Sequence, residues 1–371
     1  MFNNFFDKKK VFVTGHTGFK GSWLLLWLKH LGAELKGYAL EPKTENDHYV
    51  SAGLDNIVHS EINDIRNLQA LKKSIIDFSP DVVFHLAAQP LVRQSYADPR
   101  ETYEVNVMGT VNLFEAVRSC SSILSVINVT SDKCYENTEK EEGYVESDRM
   151  GGHDPYSSSK GCAELVTAAF RKSYFDRTDR RPRTMAASVR AGNVIGGGDW
   201  SKDRIMTDAV TALINSKEIA VRNPDAVRPW QHVLEPLSGY LWLAAQSESK
   251  NAHTFSGGWN FGPKAGSFTK VREVVEHIIY CWGSGSWTDA SDPDAPHETR
   301  LLKLDCTKAE KQLAWTPVLD VKESIKLSVD WYKNYIAHQT DMSFFSKAQL
   351  EKYVEQARSK GIKWAISTEP A

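Results

Sequence analysis

Tyr156 and Lys160 stand four residues apart in the run Tyr-Ser-Ser-Ser-Lys. On a helix, positions i and i+4 share a face, so a phenol and an ammonium project together. The ammonium favours the phenolate and lowers a pKa ordinarily near 10, which makes Tyr156 a usable proton acceptor. Upstream, the stretch VINVTSDK ends in Ser131, Asp132 and Lys133. A hydroxyl that can hold a substrate oxygen, a carboxyl that can give a proton and an amine that can take one are collected at one strand end. Together with the Tyr–Lys pair they suit redox and proton chemistry on a hydroxyl-bearing carbon. The plainer reading of Ser131 and Asp132 is a turn or helix cap.

A second constellation lies near the start. Thr14-Gly15-His16-Thr17-Gly18-Phe19-Lys20-Gly21 follows the pattern T-G-x-x-G-x-x-G. The glycines permit a tight turn, a close approach to a pyrophosphate and tight helix–sheet packing, and the helix that follows offers its N-terminus to the phosphates. The loop follows an apolar strand, opens a helix and begins a βαβ rhythm, the context in which this pattern marks a dinucleotide site. An acidic residue about 20 positions on accepts from the ribose 2′-hydroxyl of NAD. Glu41 is the nearest fit, while Lys43 beside it suits a 2′-phosphate instead. Asp64 and Ile65 could reach the adenine, and Asp64 could equally cap the helix after it.

These residues need a frame to hold them. KVFVTG (10–15), ELKGYAL (34–40), DVVFHLAA (81–88), Ile123 to Val129 and MAASVRAGNV (185–194) read as buried strands. Helical periodicity is expected over Gly21 to Leu31, Leu68 to Phe78, Thr102 to Ser119 and Tyr156 to Tyr174. Strands alternating with helices imply parallel pairing through right-handed crossovers, hence an α/β doubly wound Rossmann sheet. The rhythm changes after about residue 195. Residues 1–195 are therefore expected to bind the dinucleotide and carry the catalytic residues, and 196–371 to form a smaller substrate-binding lobe with some chain returning to the first domain. Later helices are expected near Thr269, Val321 and Phe344.

Composition excludes several classes. The formal net charge of −2 leaves no basic field for nucleic acid. No apolar run approaches the roughly 18 residues needed to span a bilayer. The start, MFNNFFDKKK, shows no secretory signal. The five cysteines are scattered without a C-x-x-C pair, so no metal site is expected and a cytoplasmic protein with free thiols is the simplest reading.

Taken in order, TGHTGFKG, HLAAQP, NVMGT, VTSDK, YSSSK and VRAGNVIGGGDW resemble the extended short-chain dehydrogenase/reductase family, and RPWQHVLEPLSGYLWL (228–243) and LKLDCTKAEKQLAWTP (302–317) carry the resemblance over nearly the whole chain. It implies NAD on the N-terminal domain, with Leu86, Ala87 and Ala88 beside it, and a nucleotide-sugar substrate. Within the family, His16 and Lys20, Gln89-Pro90-Leu91-Val92-Arg93, Asp132-Lys133 and the Gly196–Trp200 loop are similar to hexose 4,6-dehydratases that act on CDP-activated glucose. In the wider group the strand end reads Thr-Asp-Glu, where this chain has Ser131-Asp132-Lys133. The likeness implies that Tyr156 takes the 4-hydroxyl proton, Ser131 holds that oxygen, Lys160 contacts the nicotinamide ribose, Asp132 protonates the departing 6-hydroxyl and Lys133 is the C5 base. Lys133 could instead hold the keto oxygen, with Asp132 in both proton roles. Gln89, Asn193, Arg204, Arg222 and Arg228 would face the substrate, the arginines because their fork matches phosphate. His85 reads as a packed histidine and His16 as shaping its loop; His232 is undecided and His297 could face the substrate. A homodimer through the Thr102–Ser119 and Tyr156–Tyr174 helices, or a dimer of dimers, follows by analogy, as does a place in 3,6-dideoxyhexose (O-antigen, lipopolysaccharide) biosynthesis. The rival readings are a nucleotide-sugar 4-epimerase, a 4,6-dehydratase acting on another nucleotide-activated hexose, a 4-keto reductase and a fold that binds without reacting.

Overall fold

A computed structural model describes residues 1–176, 184–264, 269–292, 301–338 and 341–366. Its centre is a seven-stranded, all-parallel sheet. The strands are β1 (Lys10–Thr14), β2 (Glu34–Ala39), β3 (His59–Ile62), β4 (Val82–His85), β5 (Ser125–Val129), β6 (Met185–Arg190) and β7 (Gly257–Asn260), in the spatial order 3-2-1-4-5-6-7. The order reverses between β1 and β4, and at such a point the carboxyl ends of the strands open into a crevice that receives ligands. Alternation along each strand splits the core between two faces. Val11, Val13, Val82, Phe84 and Ile127 enter one apolar cluster, and Phe12, Val83 and Val126 the other.

The long helices are α1 (Phe19–His30), α2 (Leu68–Phe78), α3 (Gly109–Val117), α4 (Pro155–Phe170), α5 (Ile205–Ile214), α6 (Leu234–Ala245), α7 (Val271–Trp282), α8 (Val321–Ala337) and α9 (Met342–Ser359). Helices α2 and α3 cover the face that carries Phe12. Helices α1 and α6 cover the other, where α8 and α9 close over them with Trp331, Tyr353 and Trp364. Burial on both sides explains why α1 is apolar nearly all round rather than along one stripe. Among the described residues no helix is long and apolar enough to cross a membrane.

The doubly wound sheet is as expected, and several details differ. The expected strand over 185–194 ends at Arg190; Val194–Ile195 pairs separately with Gln231–His232, outside the central sheet. The helix expected over Thr102–Ser119 starts as a short turn at Pro99–Tyr103, passes through a π-helical turn at Glu104–Met108 and only then becomes α3. That over Tyr156–Tyr174 ends at Phe170 in a second π turn. Two strands of the central sheet escape the sequence reading. HSEI of β3 is a half-exposed edge, and GGWN of β7 has too few apolar residues for a pattern. β7 returns from the second half of the chain to pair with β6.

Candidate active site

The dinucleotide loop sits at the reversal point. Gly15 has φ +70°, and a Cβ there would stand 2.6 Å from the amide nitrogen of Ala87. A Cβ on Gly21 would stand 2.2 Å from the Gly15 carbonyl oxygen, so the turn and the helix behind it meet backbone to backbone. Gly18 occupies the N-cap of α1 with no side chain capping the helix, which leaves first-turn N–H groups for an anion. The amides of Leu86 and Ala87 both donate to the Thr14 hydroxyl at 3.2 Å, tying the chain that leaves β4 to the end of β1. Ala88 follows, half-buried. Thr17 donates to the Leu40 carbonyl at 2.9 Å, and Phe19 opens α1 against Gly196. His16 is buried, its Nε2 2.7 Å from the Ser60 hydroxyl and its ring seated where Gly37 lacks a side chain; burial pulls it down to about 4. This cradle fits a dinucleotide pyrophosphate.

Glu41 lies exposed two residues past β2, and Lys43 is exposed beside it. Asp64 is gripped by the Arg66 guanidinium at 2.6 Å, which holds its carboxyl below the usual range. It does not cap α2; Asn67 does, accepting from the Ala70 amide at 3.2 Å. Ile65 is buried against Gly109. Gln89, expected to face the substrate, is engaged within its own loop: its NH2 donates to the Leu91 carbonyl and the Thr102 hydroxyl, and its Oε1 accepts from the Leu91 amide. The side chain is spent on holding its own loop.

The reacting groups converge just past β5 and at the start of α4. Asp154 caps α4, accepting from the Ser157 amide at 2.9 Å, and Pro155 fills the first helical position, which sets Tyr156 in the first turn. Ser131 is 7 % exposed; its hydroxyl donates to Asp132 Oδ1 at 3.0 Å and is in hydrogen-bonding reach of the Tyr156 phenol. Burial raises the Asp132 carboxyl, against the opposing charges of Lys133, Lys20 and Arg228. Its Oδ2 is buried and finds no hydrogen-bond partner among the described residues.

The expected depression of Tyr156 is not what the structure shows. Burial, joined by the charge of Asp132, pushes the phenol up to about 12, against the Ser131 hydrogen bond and the Arg204 guanidinium. Lys160 shares the helix face but aims its ammonium at the Val129 carbonyl, 3.4 Å away. Burial pulls Lys160 down to about 8, opposed in part by Cys134 and Glu164. Lys20, half-buried in the first turn of α1, is likewise pulled to about 8, by burial and then by Arg204, so its charge reaches the catalytic groups rather than the phosphates alone. Lys133 is half-buried on the same turn, its charge acting on Asp132.

Of the substrate candidates, Asn193 is half-buried just past β6, its carbonyl accepting from the Gln231 amide. Arg204 precedes α5, holds Asp199 of the Gly-rich loop at 2.5 Å and acts on Tyr156. Arg228 donates to the Val227 carbonyl at 3.1 Å and acts on Asp132. Arg222 pairs with Asp203 at 2.6 Å, so its fork is engaged there. His85 is packed, its Nδ1 2.7 Å from the Thr14 hydroxyl. His232 is buried edge-on to Trp23. His297 lies outside the described residues.

Sequence reasoning missed the network beneath the site. Glu164, one turn after Lys160, accepts from Arg190 Nε and Nη2 at 2.9 and 2.7 Å, from Ser188 at 2.6 Å and from Thr130. Arg190 also donates to the Tyr135 hydroxyl at 2.6 Å, and Tyr135 donates to Asn260 of β7 at 2.8 Å. The network thus touches the segments that carry Ser131, Lys160 and Asn193. The i+4 spacing from Lys160 was the available signal.

With this fold and site in view, the comparisons with known proteins fall into place. A family profile for GDP-mannose 4,6 dehydratase matches residues 12–327, and the chain belongs to that family. It is 49% identical over 352 residues to the CDP-glucose 4,6-dehydratase of Salmonella typhimurium, covering 95% of this chain and 98% of the relative. It is 23% identical to dTDP-glucose 4,6-dehydratase 1 of Escherichia coli, over 87% of this chain and 92% of that one. Among solved structures, DesIV of Streptomyces venezuelae, a dTDP-glucose 4,6-dehydratase with NAD and TYD bound, superimposes with a TM-score of 0.74 at 21% identity, covering 88% of this chain and 97% of that chain. The UDP-glucose 4-epimerase of Thermus thermophilus, in complex with NAD, gives 0.74 at 24% identity over 87% of this chain and 99% of its own.

Proposed function

We propose that the protein is an NAD-dependent hydro-lyase that converts CDP-glucose to CDP-4-keto-6-deoxyglucose. The observation that carries this over a 4-epimerase is Asp132: a buried carboxyl, raised by burial above the ordinary carboxylate range, one hydrogen bond from Ser131. An epimerase needs no acid at C6. The 49% identity to a relative of that name supports the choice of CDP-glucose. NAD is the cofactor that the Gly15–Gly21 cradle would hold, with Leu86–Ala88 along its flank and Glu41 and Asp64 toward its adenosine end.

A dinucleotide held there would supply the hydride acceptor for the sugar C4 and, once reduced, the hydride donor for C6. The protein supplies the rest. Ser131 holds the 4-hydroxyl while Tyr156 removes its proton. Burial pushes Tyr156 to about 12 even with the Arg204 guanidinium favouring its phenolate, so the phenol acts as base with Arg204 and the Ser131 hydroxyl beside it. Lys133 takes the C5 proton made acidic by the ketone, Asp132 hands its proton to the departing 6-hydroxyl so that water leaves, and Lys133 gives its proton back to C5 as C6 is reduced. Asn193, Arg204 and Arg228 face the diphosphate side. The chain divides at about residue 195 into a dinucleotide-binding domain and a substrate lobe, with β7 returning. Exposed Tyr103, Met108 and Leu165 on and before α3 and α4 suit pairing with a second copy of the chain. The five thiols are unpaired, which suits the cytoplasm, and the product suits 3,6-dideoxyhexose formation for a surface polysaccharide.

The test is incubation of purified enzyme with CDP-glucose and NAD, read by mass. A product lighter by one water with no net NADH supports the reading; unchanged mass with a galacto isomer moves the protein to the epimerases.

A further inference from the structure

Asp132 offers its two oxygens to different surroundings. Oδ1 accepts from Ser131, on the side of the reacting groups. Oδ2 points toward the main chain of Gly192, where a Cβ would stand 2.4 Å from it and 2.6 Å from the Pro229 ring. That wall offers Oδ2 no donor. Two further buried polar atoms near these segments also lack a partner among the described residues. One is the hydroxyl of Tyr240 on α6, whose ring is wholly buried and edge-on to Phe261, and which Asp132 faces as the one charged group acting on it. The other is Oε1 of Gln231. Its NH2 donates to the carbonyls of Gly192 and Phe261 at 3.3 and 2.9 Å, which fixes the amide and turns Oε1 away from both. An unmet buried polar group is costly, and a buried water making about three hydrogen bonds is the usual remedy.

We propose that one ordered water joins Tyr240 to Asp132 Oδ2 and Gln231 Oε1, and that Tyr240 is thereby a positioning residue that keeps the acid's proton on Oδ1, beside Ser131 and the reacting sugar. Tyr240 donates to the water, and the water donates to Oδ2 and to Oε1. All four groups are satisfied, and Oδ2 is held as an acceptor. The inference rests on the dehydratase reading above. Besides Tyr240, the titratable groups that interact with Asp132 are Lys133 on its own turn, Lys20 of α1, Arg228, Tyr156 of α4 and Cys134. Tyr240→Phe leaves all of them in place.

The experiment compares the Tyr240→Phe holoenzyme with wild type in NAD binding, in NADH formed during a single turnover, and in loss of water across a pH series. NAD binding and NADH formation are expected to stay the same. Loss of water is expected to slow about tenfold, the scale of one hydrogen bond. Its basic limb should also move to higher pH, because a carboxylate that loses a donor holds its proton longer. A wild-type rate with an unmoved basic limb overturns the proposal. If wild type itself releases no water from the sugar, the dehydratase reading fails instead. Should Tyr240→Phe not fold, a high-resolution structure of the wild-type holoenzyme decides: a water bonded to all three atoms supports the proposal, and its absence overturns it.

Discussion

Replacing Glu235 by glutamine should flatten the pH dependence of stability. Glu235, in the first turn of α6, is 1 % exposed. It accepts from the amides of Val318 and Leu319, at 3.0 and 2.7 Å, and from the hydroxyl of Tyr353 on α9, at 2.9 Å. It therefore fastens the C-terminal helices to the core. Burial outweighs these donors and lifts the carboxyl from 4.5 to about 7. The native protein thus holds a proton that the unfolded chain has already released. Stability from this group is fully present below about pH 4.5 and is lost as pH rises through about 7. At 1.36 kcal/mol for each unit between the two values, the full loss is about 3 kcal/mol, most of it between roughly pH 5 and pH 8. Glutamine keeps an acceptor for the two amides and does not titrate. Urea unfolding at a series of pH values reads the difference. Wild type should lose about 2.5 kcal/mol more than Glu235→Gln across that range. Parallel curves, or wild type gaining relative to the variant as pH rises, would refute the reasoning.

Three further outcomes are expected. Asp132→Asn keeps the shape but not the acid, so loss of water should fall by about 10²–10⁴-fold while single-turnover NADH formation persists; equal loss of both steps would place Asp132 elsewhere in the reaction. Lys133→Met should likewise stop the reaction after oxidation at C4, and dehydration at a near wild-type rate removes Lys133 from the role of base. Gly15→Ala puts a Cβ against Ala87 at φ +70°, so NAD binding measured by calorimetry should be lost or weakened by well over tenfold; unaltered affinity would show that the cofactor does not use this turn.

Some of this was legible in the residues and some was not, and the division follows the range of the forces. Local patterns carried the doubly wound sheet, the T-G-x-x-G-x-x-G turn and the pairing of Tyr156 with Lys160, because helix and strand periods and glycine geometry act within a few residues. Charge and burial did not follow the same logic. Spacing put an ammonium beside Tyr156 and suggested an acidic phenol, yet the folded environment raises it, since desolvation is a property of everything packed around a group. Gln89 looked available until its loop closed on it. β3 and β7 had too little pattern of their own and exist because neighbouring strands offer them hydrogen bonds. The sequence by itself determined the class of fold, the cofactor loop and the inventory of reacting groups. Only the tertiary structure decided which of those groups burial raises or lowers, and that Glu164, one turn from Lys160, joins the distant Arg190 and Tyr240 in setting the frame, because burial and hydrogen bonds between distant segments arise only when the chain is packed.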